Sequence, residues 1–72
     1  MNYINDAIKI NFTVPNSIKR IMEECEKLDK EENYGFYMNL AEYLTDTISK
    51  EAYVEGLITR EQWKAIERRY IQ

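Results

Sequence analysis

Arg60, Lys64 and Arg68 recur every four residues near the end of the chain, with Arg69 beside the last of them. On a helix this spacing gathers the three side chains into one basic stripe. Such a stripe can pair with phosphate or carboxylate groups, because a guanidinium offers two parallel donors to either. The competing reading is a solvated face, with Arg68 and Arg69 also favoured by the negative end of the helix dipole. Tyr53 is the other candidate contact. It projects from the polar face of the central helix, and exposed tyrosine is enriched at interfaces. The residues that could hold a partner are therefore Arg60, Lys64, Arg68, Arg69 and Tyr53.

Other chemistry has little to work with. The chain contains no histidine, one cysteine and two glycines. A His-based general base, a catalytic triad and a Cys-only zinc cluster are excluded, and no Gly-rich phosphate loop is present. Residues 29–40 faintly follow a calcium loop, but Tyr34 stands where the sharp turn needs Gly and Leu40 where a bidentate Glu is needed. The lone thiol, Cys25, lies among Glu23, Glu24 and Glu26, which disfavour a thiolate. It reads as a small core residue. The expectation is a protein that is not an enzyme, with no catalytic residues, no metal and no cofactor.

Size and charge narrow the class. With 72 residues the chain is one domain, residues 1–72. A domain this small buries only about 60% of its unfolded surface, so packing or self-association must supply its stability. The net charge is −3, which disfavours broad nucleic-acid binding. Only residues 59–72 are net basic, with four cations against two anions. A single cysteine and the lack of a signal peptide point to the cytoplasm, and no apolar run is long enough for a membrane span.

The elements that must position these groups are mostly helical. Residues 34–57 are the organising stretch: Tyr37, Leu40, Ala41, Leu44, Ile48 and Ala52 share one face, flanked by Phe36, Tyr43 and Val54 and on the other side by Tyr34. Asn39, Glu42, Asp46, Ser49 and Lys50 lie opposite. So wide an apolar arc needs two neighbours. Ile18, Ile21, Met22, Cys25 and Leu28 define an amphipathic helix before it, opened by Pro15 with Asn16 as a candidate cap. The charges at its ends, Lys19 and Arg20 first and Glu31 and Glu32 last, oppose the dipole. Asn33 and Gly35 mark the next turn, and Gly56 closes the central helix in a left-handed conformation. Thr59 and Gln62 form a capping box and Ile58 and Trp63 a hydrophobic staple, with Trp63, Ile66 and Tyr70 facing inward.

The N-terminal segment has two readings. Residues 1–7 show no pattern and are expected to be loosely held. Ile8, Ile10, Phe12 and Val14 then alternate with Lys9, Asn11 and Thr13, the signature of a strand. No second strand exists in the chain. The segment is therefore either an extended arm over its own helices or a lone strand that pairs with another copy.

Two resemblances bear on that choice. Residues 9–28, Lys-Ile-Asn-Phe-Thr-Val-Pro and then an amphipathic helix, resemble the opening of ribbon-helix-helix repressors. That resemblance implies a dimer whose paired strands place Lys9, Asn11 and Thr13 in the DNA major groove. The acidic turn at Glu31, Glu32 and Asn33 departs from the family, since it would repel the phosphate that the family anchors there. Residues 15–71 resemble small uncharacterised helical proteins of bacterial phages and mobile elements. The runs are Ile-Lys-Arg-Ile-Met-Glu-Glu-Cys at 18–25, Glu-Glu-Asn-Tyr-Gly-Phe-Tyr at 31–37 and Gly-Leu-Ile-Thr-Arg-Glu-Gln-Trp at 56–63. This second resemblance implies a helical fold and a mobile-element origin, and no activity.

The expectation is thus an all-α, three-helix domain, with helices near 16–31, 34–55 and 59–70 and an extended N-terminal arm, residues 1–14. Its expected role is protein binding or regulation through an unidentified protein partner, with homodimer formation open. The alternative is a dimeric DNA-binding repressor of ribbon-helix-helix type.

Overall fold

The computed structural model describes residues 3–71. Three helical rods and an extended arm make up the domain, and no strand occurs among the described residues. Helix α1 spans Asn16–Lys30. Pro15 occupies its cap position with φ −58°, and its carbonyl accepts the Lys19 N–H at 3.0 Å. Asn16 is therefore already helical and cannot act as the cap, one residue away from the expectation. Ile18 and Cys25 are fully buried, with Ile21, Met22 and Leu28 packed around them.

The two turns use the same device. At the end of α1 the Glu32 N–H donates to the Asp29 carbonyl and the Asn33 N–H to the Leu28 carbonyl. At the end of the central helix the Gly56 N–H donates to Tyr53 and the Leu57 N–H to Ala52. Both are Schellman closures, which need one left-handed residue. Gly56 supplies it with φ 79°, as expected; in the first turn it is Glu32, with φ 55°, and not Gly35, which lies inside the next helix. A non-glycine residue there costs about 1–2 kcal/mol. Glu31 and Glu32 consequently fall beyond the last turn of α1, which carries Lys27 and Lys30 and so suits the dipole.

The central rod, α2, runs through residues 34–54 without a break in helical backbone. It is α-helical over Tyr34–Tyr43, π-helical over Leu44–Ser49 and α-helical again over Lys50–Val54. A π-helical turn takes up one more residue than an α turn, so the face rotates across it. Before it the buried residues are Tyr37 and Ala41, within it Leu44, Thr45 and Ser49, and after it Ala52. Ser49, expected on the polar side, is thereby turned fully into the core. Helix α1 packs on the first α segment and on the π turn, and the third helix packs on the π turn and on the last segment. The wide turn is where both neighbours meet the rod. Trp63 Nε1 donates to the Thr45 carbonyl within it at 2.9 Å.

Helix α3 spans Arg60–Tyr70. Its capping box is reciprocal: the Gln62 N–H donates to Thr59 Oγ1 at 3.1 Å and the Thr59 N–H to Gln62 Oε1 at 2.9 Å. Ile58, just before the cap, is buried, as are Ile66 and Tyr70, while Trp63 is half-buried.

Residues 8–14 form an arm over the chain's own helices. Ile10, Phe12 and Val14 pack against the core, and Lys9, Asn11 and Thr13 face solvent. Ile8 is half-buried and contributes its carbonyl. The arm is held further upstream than its pattern implies. Residues 1 and 2 lie outside the described residues, but Ile4 is a core residue, only 5% exposed. The Tyr3 ring sits 5.2 Å from both the Tyr34 and Tyr37 rings, and its N–H donates to Asp29 Oδ1. Tyr3, Ile4 and Asn5 are therefore seated, contrary to the expected loose segment, while Asp6 and Ala7 are exposed.

Arg69 is the buckle. Its Nη1 donates to the Ile8 carbonyl at 2.8 Å, and its own carbonyl accepts the Asn5 N–H at 2.8 Å. The ion pair to Asp6, at 3.9 Å, adds little because Asp6 is 66% exposed. Arg69→Ala is expected to cost about 1.5–3 kcal/mol through the lost charge-assisted bond. It should also speed amide exchange at Asn5 and Ile8. Unchanged exchange at both amides would show that the arm is held by its apolar side chains alone.

Candidate functional site

The structure separates the residues that the sequence grouped. Arg60, Lys64 and Arg68 are exposed on α3 and form no ion pair among the described residues. Arg69 points elsewhere: its side chain is 16% exposed and is engaged by the arm. It also lies 5.5 Å from the centre of the Tyr70 ring. Tyr53 stacks on Trp63, with ring centres 5.2 Å apart and 27° between planes. That stacking carries the aromatic surface from α2 onto α3, where it adjoins the helix that bears the stripe.

A second surface escaped the sequence. Phe36 is 68% exposed, Tyr34 57% and Tyr43 47%, so three aromatic side chains of the first α segment of α2 look outward. Phe36, Leu40 and Tyr43 follow one another at i, i+4 and i+7, one row along the rod. With Leu28 of α1 they line a shallow groove of about 400 Å³, edged by Glu24 and Asn39. The groove is predominantly apolar. Reading α2 as one uninterrupted 3.6-residue helix made Phe36 and Tyr43 flanks of a buried arc. In the structure α1 covers the Tyr37–Ala41 side and leaves their row open. The available signal was the width of the apolar arc of residues 34–57, with Phe36 and Tyr43 at its edge.

The groove's surroundings are acidic. The two helices that build it, residues 16–54, carry nine acidic and five basic side chains with their connecting turn. Among the described residues no group of three or more metal-ligating side chains converges. No helix there is long and apolar enough to cross a membrane.

The thiol and two of the tyrosine side chains are buried. Cys25 is fully buried, and burial, with Glu26 and Glu24 nearby, pushes its thiol up to about 12. A thiol so placed stays protonated at neutral pH. The Tyr37 hydroxyl donates to the Tyr70 carbonyl at 2.7 Å, and the Tyr70 hydroxyl to Glu26 Oε2 at 3.2 Å. Burial raises both phenols, Tyr70 to about 12. Thr45 Oγ1 and Ser49 Oγ are buried at the π turn and meet no hydrogen-bond partner among the described residues.

Compared with protein-family models, curated proteins and solved structures, the chain matches none. The functional reading therefore rests on the surface itself.

Proposed function

We propose that this domain is a non-enzymatic protein-binding module whose groove between α1 and α2 receives an amphipathic helix of a partner protein. The row of exposed Phe36 and Tyr43 with half-buried Leu40 between them, beside Leu28, carries the reading. A small domain gains nothing in folding from a phenylalanine left 68% exposed, and clustered exposed aromatics are the anchors of interfaces. The row matches the spacing at which a docked helix presents its own apolar side chains. The acidic excess of residues 16–54 selects a partner helix with cationic flanks. Regulation by occupancy of this groove is the corresponding biological role.

The basic stripe supports a second reading, in which Arg60, Lys64 and Arg68 grip an acidic partner beside Tyr53. One titration separates the two. The probes are a leucine–lysine amphipathic peptide of about 16 residues, long enough to span the groove, and its leucine–glutamate counterpart. The cationic peptide is expected to shift the amide resonances of Phe36, Leu40 and Tyr43. Phe36→Ser should weaken it at least about tenfold, the loss typical of a central anchor. Binding of the acidic peptide alone, with shifts at Arg60 and Lys64, would transfer the partner surface to α3.

A further inference from the structure

A cleft between the N-terminal arm and α1 lies apart from that groove. Its volume is about 600 Å³, within the range of small-molecule sites. Ile10 and Phe12 of the arm and Met22 of α1 give it an apolar wall. Lys9, Lys19 and Arg69 also line it. Lys9 and Lys19 are exposed and form no ion pair among the described residues. Among the described residues Glu26 is the one carboxylate in the lining, and it accepts the Tyr70 hydroxyl. Three cations against one anion reverse the balance of a chain whose net charge is −3.

The backbone adds to this local excess. Asn16, the first residue of α1, lies in the lining, and no side chain caps that terminus. The first turn holds no acidic residue, and Lys19 occupies it instead. A helix start is a region of positive potential, normally offset by an acidic side chain or a cap. Here the potential is reinforced by lysines and placed beside an apolar wall.

We propose that this cleft binds a small amphipathic anion, a carboxylate or phosphate carried on a short apolar body. The head pairs with Lys9 and Lys19 near the start of α1, and the body lies on Ile10, Phe12 and Met22. Both halves of the ligand are required by the lining. An inorganic anion would leave the apolar wall wet, and a neutral hydrocarbon would leave the lysines unpaired. A nucleic acid fits less well, since it needs a row of phosphate contacts, and Glu23 and Glu24 follow one turn along α1.

The test is a set of titrations followed by amide resonances, with octanoate, octyl phosphate, octyltrimethylammonium and inorganic phosphate as probes below their micellar concentrations. Octanoate and octyl phosphate should shift Ile10, Lys19 and Met22 saturably at millimolar concentrations. Octyltrimethylammonium and inorganic phosphate should bind at least about tenfold more weakly. The double variant Lys9→Gln/Lys19→Gln should lose at least about tenfold in octanoate affinity with its helical circular dichroism unchanged, because exposed charges contribute little to stability. The proposal is overturned by equal binding of the cationic amphiphile, by inorganic phosphate binding as tightly as octyl phosphate, or by no saturable shift. Shifts that map to Phe36, Leu40 and Tyr43 overturn it too, as does binding to anionic vesicles without binding of the monomeric probes. Apart from shifts at Phe36, Leu40 and Tyr43, these results leave the groove reading unaffected, because it rests on those residues and not on the cleft.

Discussion

Tyr37→Ala should unfold the domain, or leave it folded only at low temperature. Tyr37 is fully buried, packs against Tyr3 and bonds the Tyr70 carbonyl at 2.7 Å. Truncating a buried aromatic costs about 3–5 kcal/mol through lost burial and the cavity left behind. A single core of this size rarely supplies more than about 3–5 kcal/mol in total. The variant also strands the Tyr70 carbonyl, which sits at the end of α3, and removes the platform under the arm. Tyr37→Phe separates these effects. It keeps the ring and loses only the hydroxyl, so the expected cost is about 1–3 kcal/mol for the unsatisfied carbonyl. Urea unfolding followed by circular dichroism measures both. A Tyr37→Ala protein with a wild-type midpoint would mean that Tyr37 is not a keystone of the core.

The second large effect is alkaline unfolding. Burial raises Tyr70 from 10.0 to about 12 and Cys25 from 9.0 to about 12, and it raises Tyr37 as well. The folded state therefore keeps these protons at pH values where the unfolded chain releases them. The stability linked to Cys25 and Tyr70 is fully present below pH 9 and is lost as the pH climbs from 9 through 12, and that linked to Tyr37 is lost above pH 10. Each pH unit between a group's two values removes about 1.4 kcal/mol. By pH 11 the three together remove on the order of 5 kcal/mol, comparable with the whole stability of a domain this small. Helical circular dichroism should fall cooperatively between about pH 10 and 12, with tyrosinate absorbance at Tyr37 and Tyr70 appearing only as the helices melt. Cys25→Ala should move that midpoint upward, since it removes the group that begins to titrate first. Full ionisation of all six tyrosines before any loss of helix would contradict the burial of Tyr37 and Tyr70.

Much of the architecture was legible in residue patterns because local chemistry decides it. Thr59 and Gln62 cap α3 whatever packs nearby, since their bonds lie within four residues of one another. Gly56 ends the central rod because a left-handed residue is needed there and glycine adopts that conformation at least cost. The periodicity of Ile18, Cys25, Tyr37, Leu44 and Ile66 assigned them correctly to the core, and the alternation of residues 8–14 put Lys9, Asn11 and Thr13 on the solvent side.

Tertiary structure decided the rest. The partner of the alternating segment was undetermined, because alternation sorts side chains into two faces without saying what lies under the apolar one. The helices of the same chain lie there, and Arg69, on paper part of a basic stripe, is spent holding the segment down. Tyr3 and Ile4 carry no periodic signal, yet they complete the core, because a gap between helices can be filled by any apolar group the chain can deliver. The π turn is the clearest case. No short pattern announces it, since Leu44–Ser49 reads as ordinary helix. It exists where α1 and α3 both press on the central rod, and it turns Thr45 and Ser49 inward beside Leu44. That single rotation buries Ser49. Which aromatics stay outside, Phe36 and Tyr43 among them, follows from where α1 lies on the rod. The candidate groove is thus set by how two helices pack, a non-local quantity that residue spacing along one helix does not contain.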